Sequence, residues 1–206
     1  MKKGLQIFFA LVTLLTVGSI SAFAAPADSV PSMAQASAVL TISDPESGER
    51  WEWDLSEENV AVIQSKSLLQ SNETLTEAIV NIDLGEYLAE TFSNPSVSST
   101  LQDDITITTG LTYSINYSIG TVRIYNVFGS TTPKGLYYAE NRKVYWRNHS
   151  AGVGGTFNPT SNSWNYSVDS AEGTYLTQLP PYSLLDCRVR VSGMSNYRDI
   201  SIKCTL

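Results

Sequence analysis

The sequence is short of the residues on which many enzymes and metalloproteins depend. Its 206 residues include one histidine and two cysteines. A metal site built on several histidines is therefore excluded, and the chain has no Cys-x-x-Cys pair of the kind that holds zinc. A serine–histidine–acid triad would have to use His149, and no glycine–serine–glycine elbow is present to hold its nucleophile. We therefore predict no catalytic residues, no metal and no cofactor.

Charge is also sparse, and it is divided unevenly along the chain. Charged residues make up 16% and hydrophobic residues 42%, which is typical of a folded protein. Residues 25–104 carry fifteen acidic and two basic side chains, whereas residues 105–206 carry five and nine. The small excess of basic residues is too weak to indicate nucleic acid. The difference in charge between the two halves has three possible explanations. The halves are modules of different composition, the basic half binds a polyanion, or one half docks on the other.

The N-terminus has the pattern of a signal peptide. Lys2 and Lys3 precede an apolar run over residues 5–17, and Ala22-Phe23-Ala24 supplies small residues for cleavage. A membrane anchor is the alternative, but the run is shorter than the roughly 20 residues that a spanning helix needs. We expect residues 1–24 to be removed. The short Met-Lys-Lys start indicates a bacterial protein, secreted and either released or held noncovalently at the cell surface.

Composition divides the remaining chain into four parts. Residues 25–37 are small, polar and proline-bearing, and are expected to be a flexible leader. Residues 38–90 should form a small acidic β-rich unit. Residues 91–104 are rich in serine, threonine and asparagine and coincide with the change of charge, which indicates a linker. Residues 105–206 should form an antiparallel β-sandwich, and the two folded parts could pack as one body.

The clearest strand signal begins the second part. Isoleucine, leucine or tyrosine occupies every odd position from Ile105 to Ile119 except Thr109, with threonine, serine, asparagine or glycine at the even positions. Gly110 is expected to allow a bend or bulge. Residues 152–155 are expected to be a loop, and no helix is expected after Asp104. Further strands are predicted at 122–128, 136–139, 143–148, 165–168, 184–191 and 198–205, so the fold class is all-β.

The first part has a hairpin and one ambiguous segment. Strands are predicted at 39–43 and 51–55 around a proline- and glycine-bearing turn, with Trp51 and Trp53 on one face. Residues 56–72 fit a helix or a strand about equally well. Residues 75–84 favour a strand.

The two cysteines lie in a predicted terminal hairpin. If Gly193 pairs with Arg198, then Cys187 lies opposite Cys204, and the apolar residues of both strands share one face. In an oxidising compartment such a pair should form a disulfide, contributing about 3 kcal/mol by the loop-entropy argument.

Aromatic and basic residues crowd into the middle of the second part. Ring faces next to cations can bind sugars or anionic polymers. We place the candidate ligand site at Tyr145, Trp146, Arg147 and Trp164. The alternative is that these rings are core residues, since a strand buries every second side chain. The site hypothesis fails if Trp146 and Trp164 are both buried and no groove lies beside Arg147.

Three functions remain open from the sequence. The favoured one is a noncatalytic extracellular binding module for cell-surface polysaccharide or an anionic wall polymer. A second is a secreted glycan hydrolase that depends on carboxylates. A third is an acidic pro-region that restrains a basic antibacterial domain and is released by cleavage within residues 91–104.

Overall fold

The alternating sequence pattern folds into two antiparallel sheets that pack face to face. The structure, a computed structural model, describes residues 36–55, 58–67, 74–91, 105–175 and 178–206. The expected signal peptide, nearly all of the leader and residues 92–104 of the expected linker lie outside these ranges. Among the described residues, no helix is both long enough and apolar enough to cross a membrane.

Twelve strands and one short helix make up the described chain. In order they are β1 (Ser37–Ser43), β2 (Arg50–Leu55), β3 (Val60–Ser67), β4 (Thr74–Asp83), α1 (Gly85–Thr91), β5 (Ile105–Asn116), β6 (Thr121–Pro133), β7 (Tyr137–Asn148), β8 (Val153–Phe157), β9 (Ser163–Ser167), β10 (Gly173–Thr174), β11 (Tyr182–Val191) and β12 (Tyr197–Thr205). The all-β antiparallel sandwich is confirmed.

Each sheet draws strands from distant parts of the chain. Sheet A has the order β2-β1-β12-β11-β7-β8. Sheet B has the order β10-β6-β5-β4-β3, and β9 pairs with β6 beside β10. The inward side chains of both sheets form one hydrophobic core, whose largest fully buried members include Leu40, Ile42, Ile82, Leu88, Ile107, Leu111, Ile124, Leu185 and Ile200.

The acidic segment 38–90 does not form a unit of its own. Strand β1 pairs along its whole length with the last strand, β12, and β4 pairs with β5. The described residues accordingly form one compact unit. The change of charge near residue 104 therefore marks no boundary in the fold, because hydrogen bonding and apolar faces, rather than net charge, determine which strands pair.

Several local predictions need correction or sharpening. In the ambiguous segment 56–72, residues 60–67 form β3, and residues 56–57 and 68–72 lie outside the described ranges. The loop expected at 152–155 is wrong, because Val153–Phe157 forms β8 against β7. Gly110 pairs in register with Phe128, and the pairing of β5 with β6 shifts instead between Thr112 and Tyr113, where β6 has the extra residue Tyr125.

The terminal hairpin is present, but its register differs from the predicted one by four residues. Cys187 lies opposite Ile200, and Cys204 lies opposite Ser183. Four residues of strand span about 13 Å, whereas a disulfide needs Cα atoms within about 7 Å. The predicted disulfide is therefore wrong, and both cysteines are buried free thiols.

The turn explains the shift. The amide of Met194 donates to the carbonyl of Val191 at 3.1 Å, with Gly193 at a φ of 84°. This turn closes the hairpin at Arg190 and Tyr197. An even shift leaves every apolar side chain on the inner face, so the alternation of residues fits both registers equally.

Candidate functional site

The four residues selected from the sequence do not converge. Tyr145, Trp146 and Arg147 follow one another in β7, so they alternate between the two faces of sheet A. Trp146 points into the core with 9% of its surface exposed, while Arg147 is exposed on the outer face. Trp164 belongs to β9 of the other sheet and is 6% exposed. The predicted four-residue site is therefore wrong, since no single surface presents these residues together.

Glycines on neighbouring strands determine where the two tryptophans lie. A Cβ atom on Gly155 would come 2.8 Å from Nε1 of Trp146, and one on Gly129 would come 2.5 Å from Cζ2 of Trp164. Both indoles thus lie across a neighbouring strand that has no side chain at that position.

A second aromatic contact lies nearby in sequence. The ring centroids of Tyr166 and Phe157 lie 4.2 Å apart and the ring planes are inclined by 7°, so the two rings stack.

Tyr145 and Arg147 remain on the outer face of sheet A, where β7, β11 and β12 form an ordered grid. The outward residues pair in five cross-strand rows, which run Thr205–Tyr182–Arg147, Lys203–Leu184–Tyr145, Ser201–Asp186–Lys143, Asp199–Arg188–Glu140 and Tyr197–Arg190–Tyr138. Adjacent strands lie about 4.8 Å apart, and successive rows about 6.8 Å apart. This grid brings side chains together from residues 138 to 205.

One end of the grid is internally neutralised, and we call it the paired half. Nε of Arg188 lies 3.1 Å from a carboxylate oxygen of Asp199, and Nε of Arg190 lies 2.5 Å from one of Glu140. Both guanidinium groups also pack on the ring of Tyr197, at 3.7 and 4.7 Å from its centroid. The hydrogen bond to Glu140 raises the pKa of Arg190.

The other end, which we call the cationic half, consists of Lys143, Tyr145, Arg147, Tyr182 and Lys203. Within the described residues, none of its three cations forms an ion pair with a carboxylate. Nζ of Lys143 lies 5.6 Å from the ring centroid of Tyr145, and Nζ of Lys203 lies 4.8 Å from that of Tyr182. These two half-buried rings therefore lie among three exposed cations.

His149, the single histidine, flanks this half. Its ring centroid lies 5.6 Å from that of Tyr182, with the two planes tilted by 43°.

A bulge in β7 shapes the middle of the face. Asn141 adopts a φ of 52°, a conformation that asparagine tolerates better than most residues. The side chain of Arg142 is thereby directed toward sheet B, where its Nε donates to the hydroxyl of Thr131 at 3.1 Å and Nη2 donates to Asn162. Redirecting a side chain in this way is a common role of bulges.

An open groove of about 870 Å³ lies at this bulge, where the two halves meet. Tyr145, Asp186 and Arg188 line it from the strands, and Asn158 and Thr160 line it from the loop after β8. Arg147 does not line it. The groove offers ring, amide, hydroxyl, carboxylate and guanidinium groups on a rigid sheet.

The carboxylates at the groove are already engaged by neighbours. Asp186 accepts a hydrogen bond from the hydroxyl of Ser201 at 2.5 Å, Asp199 accepts one from Arg188, and Glu140 is held by an arginine in the paired half. Carboxylates held in this way are suited to orienting a polar ligand. Among the described residues there is no cluster of three potential metal ligands.

Cys187 also lines the groove, but its side chain points into the core, and its thiol is chemically quiet. Burial raises the pKa of Cys187 to about 12, although nearby Arg142 lowers it somewhat, and burial does the same for Cys204. A thiol of this kind is a poor nucleophile at neutral pH.

A second, smaller depression of about 530 Å³ lies on the outer face of sheet B. Its lining includes Glu77, Asn126 and Phe128, and no basic residue. The groove on sheet A therefore differs from it in having cations beside rings.

Sequence reasoning missed Tyr182, Asp186, Arg188 and Lys203 as site residues. Their outward orientation was predictable from alternation, but their position beside Tyr145 depends on the order of strands in sheet A.

No family model, no curated protein and no solved structure matches this chain.

Proposed function

We propose that this protein is a noncatalytic glycan-binding module that acts outside a bacterial cell, after removal of residues 1–24. The carrying observation is the groove on sheet A, with Tyr145 at its side and Tyr182 one row further along. Sugars combine apolar ring faces with many hydroxyl groups. Aromatic rings beside fixed hydrogen-bonding side chains complement both features.

The rigidity of the face supports binding without a large ordering cost. Its side chains stand on three long strands, and several are held by neighbours before any ligand arrives. Preorganised groups lose less conformational entropy on binding than mobile ones. A rigid, open and half-polar groove suits an extended polymer better than a small enclosed ligand.

The test is binding of the mature chain, residues 25–206, to an array of bacterial envelope glycans. Tyr145→Ala should weaken binding about tenfold, because it removes the ring at the groove and about 1.4 kcal/mol is a factor of ten. Tyr138→Ala is the matched control, since Tyr138 is exposed on the same strand and face but does not line the groove.

Two results would count against this function. One is that a folded protein binds no member of the array. The other is that Tyr138→Ala and Tyr145→Ala weaken binding equally. Release of new reducing ends from the bound glycan would instead indicate a hydrolase.

A further inference from the structure

The uneven charge of the outer face of sheet A indicates which chemical class of glycan it binds. We propose that the glycan carries acidic substituents, carboxylate or phosphate, and that Lys143, Arg147 and Lys203 bind them around Tyr145 and Tyr182. This inference rests on the proposed glycan function and adds the chemical class of the ligand. The paired half, by contrast, has its arginines neutralised by their own carboxylates.

The three cations are spaced for repeated charges rather than for one ion. Lys143 and Arg147 are four residues apart on β7, so their Cα atoms lie about 13 Å apart. Lys203 is two strands and one row from Arg147, which puts their Cα atoms about 12 Å apart. These spacings exceed the Debye length of about 8 Å at physiological salt, so each cation acts nearly independently. A polymer with an acidic group on successive units can reach all three, whereas a small anion can reach one.

Two nearby carboxylates bear on this assignment. Asp186 lies opposite Lys143 but accepts a hydrogen bond from Ser201, and the two form no ion pair. Asp54 lies on β2, two strands away from Lys203. Three cations thus face one acid on the adjacent strand, Asp186, and one acid two strands away, Asp54, so this end of the face keeps a net positive charge.

The rest of the molecule argues against a simple polyanion site. The whole chain has a formal net charge of −7, so long-range attraction cannot concentrate an anionic polymer on it. Binding must depend on short-range contact, in which the tyrosine rings and the cations act together. Arg147 adds a planar fork that matches carboxylate and phosphate oxygens.

The experiment compares glycans that share a backbone and differ in charge. Polygalacturonate and its fully methyl-esterified form test carboxylate, and poly(glycerol phosphate) with and without sugar substituents tests phosphate. Polyglutamate serves as a polyanion without sugar. Binding of residues 25–206 is measured by affinity electrophoresis and calorimetry at low and physiological salt.

The variants separate charge from stacking. Lys143→Gln and Lys203→Gln should each weaken binding to an acidic glycan about two- to fivefold, and the double variant about tenfold. Lys134→Gln is the control, since Lys134 is exposed in the loop before β7. All of these side chains lie at the surface, and unchanged thermal unfolding checks that each variant is folded.

Each outcome has one meaning. Preference for the acidic member of a pair, lost in the double variant and retained in Lys134→Gln, supports the inference. Equal binding of neutral and acidic members, weakened by Tyr145→Ala alone, overturns the acidic class but leaves the glycan function standing. Polyglutamate could also bind as tightly as the acidic glycans, with Tyr145→Ala leaving that binding unchanged. That result would show that the face binds negative charge without recognising sugar, and it would overturn the assignment of an acidic glycan. Binding to none of the probes or array glycans overturns both proposals.

Discussion

Three glycines decide where three aromatic rings lie. Trp146 lies across Gly155 and Trp164 across Gly129, and on the opposite face of sheet B the ring of Phe128 lies 2.8 Å from where a Cβ on Gly110 would be. A glycine within a strand often marks such a close approach. The sequence reveals these glycines but not their partners, because the partner depends on which strands pair.

The two buried thiols lead to a prediction at the same scale. Burial raises the pKa of Cys187 and of Cys204 to about 12, so both thiols stay protonated at pH 8. We expect a thiol reagent such as Ellman's reagent to modify neither cysteine in the native protein and both after unfolding in urea.

The comparison of native and urea-unfolded samples contains its own control. A reading of no thiols in either sample would mean that the two cysteines are oxidised, and would contradict the register of the terminal hairpin. Rapid reaction of the native protein would contradict the burial of both side chains.

At the scale of elements, the terminal hairpin shows what a sequence pattern leaves undetermined. Alternation excludes a shift by one residue but accepts a shift by four. Charge distinguishes the two registers. In the predicted register Arg188 lies opposite Lys203, whereas in the structure it lies opposite Asp199 and pairs with it. Like charges directly opposite one another destabilise a sheet, so cross-strand charge was the available signal.

An ion pair between buried Arg198 and half-buried Asp44 joins three elements at one end of the sandwich. The guanidinium of Arg198, whose side chain is 4% exposed, lies 3.2 Å from a carboxylate oxygen of Asp44 and donates to the carbonyl of Thr91 at 2.7 Å. Asp44 also accepts hydrogen bonds from the amides of Glu46 and Ser47. The turn after β1, the end of α1 and β12 are thereby connected.

This pair predicts how stability depends on pH. The amide of Glu46 is the largest cause that lowers the pKa of Asp44, with Ser47 and Arg198 adding to it, although partial burial acts in the opposite direction. A lowered pKa in the folded state stabilises the protein above the ordinary value of 3.8, and that contribution is lost as the pH falls below it. Asp44→Asn should therefore lower the free energy of unfolding by about 1.5–3 kcal/mol at pH 7.

Urea unfolding at pH 7, 4 and 2.5 measures this effect. The difference between wild type and Asp44→Asn should shrink below pH 4. Glu52→Gln is the control, because it breaks the Arg50–Glu52 pair, whose side chains are 65% and 56% exposed, and should cost less than about 1 kcal/mol. A difference that stays constant down to pH 2.5 would show that the charge of Asp44 does not matter.

At the scale of the whole molecule, alternation was sufficient to predict the fold class and most of the strands. It did not predict β8, because Gly154 and Gly155 have no side chain to alternate. Alternation requires Tyr145 and Arg147 to lie on one side of β7 and Trp146 on the other, but it does not say which side is the core. The site depends on residues from β7, β11 and β12, and their order in the sheet is a property of the complete fold.

The charge division suggested that residues 105–206 could act alone, and the sheet order argues against it. Removing residues 25–104 would leave β12 without its neighbour β1, and β5 without β4. It would also remove the buried side chains of Leu40, Ile42, Ile82 and Leu88 from the core. At about 1.5–3 kcal/mol each, these four residues contribute as much as the total stability of a typical domain, about 5–15 kcal/mol.

We therefore expect a fragment of residues 105–206, expressed alone, to be unfolded or aggregated, and residues 36–206 to unfold in one transition. Circular dichroism and proton NMR of both chains test this. Residues 36–206 are the control, because they lack only the segment before the first described residue. A soluble 105–206 fragment with dispersed amide signals would contradict one cooperative unit and would revive the acidic pro-region as an explanation of the charge division. Since β1 supplies the pairing edge for β12 and β4 the edge for β5, we expect the acidic segment to be required for the fold that presents the groove.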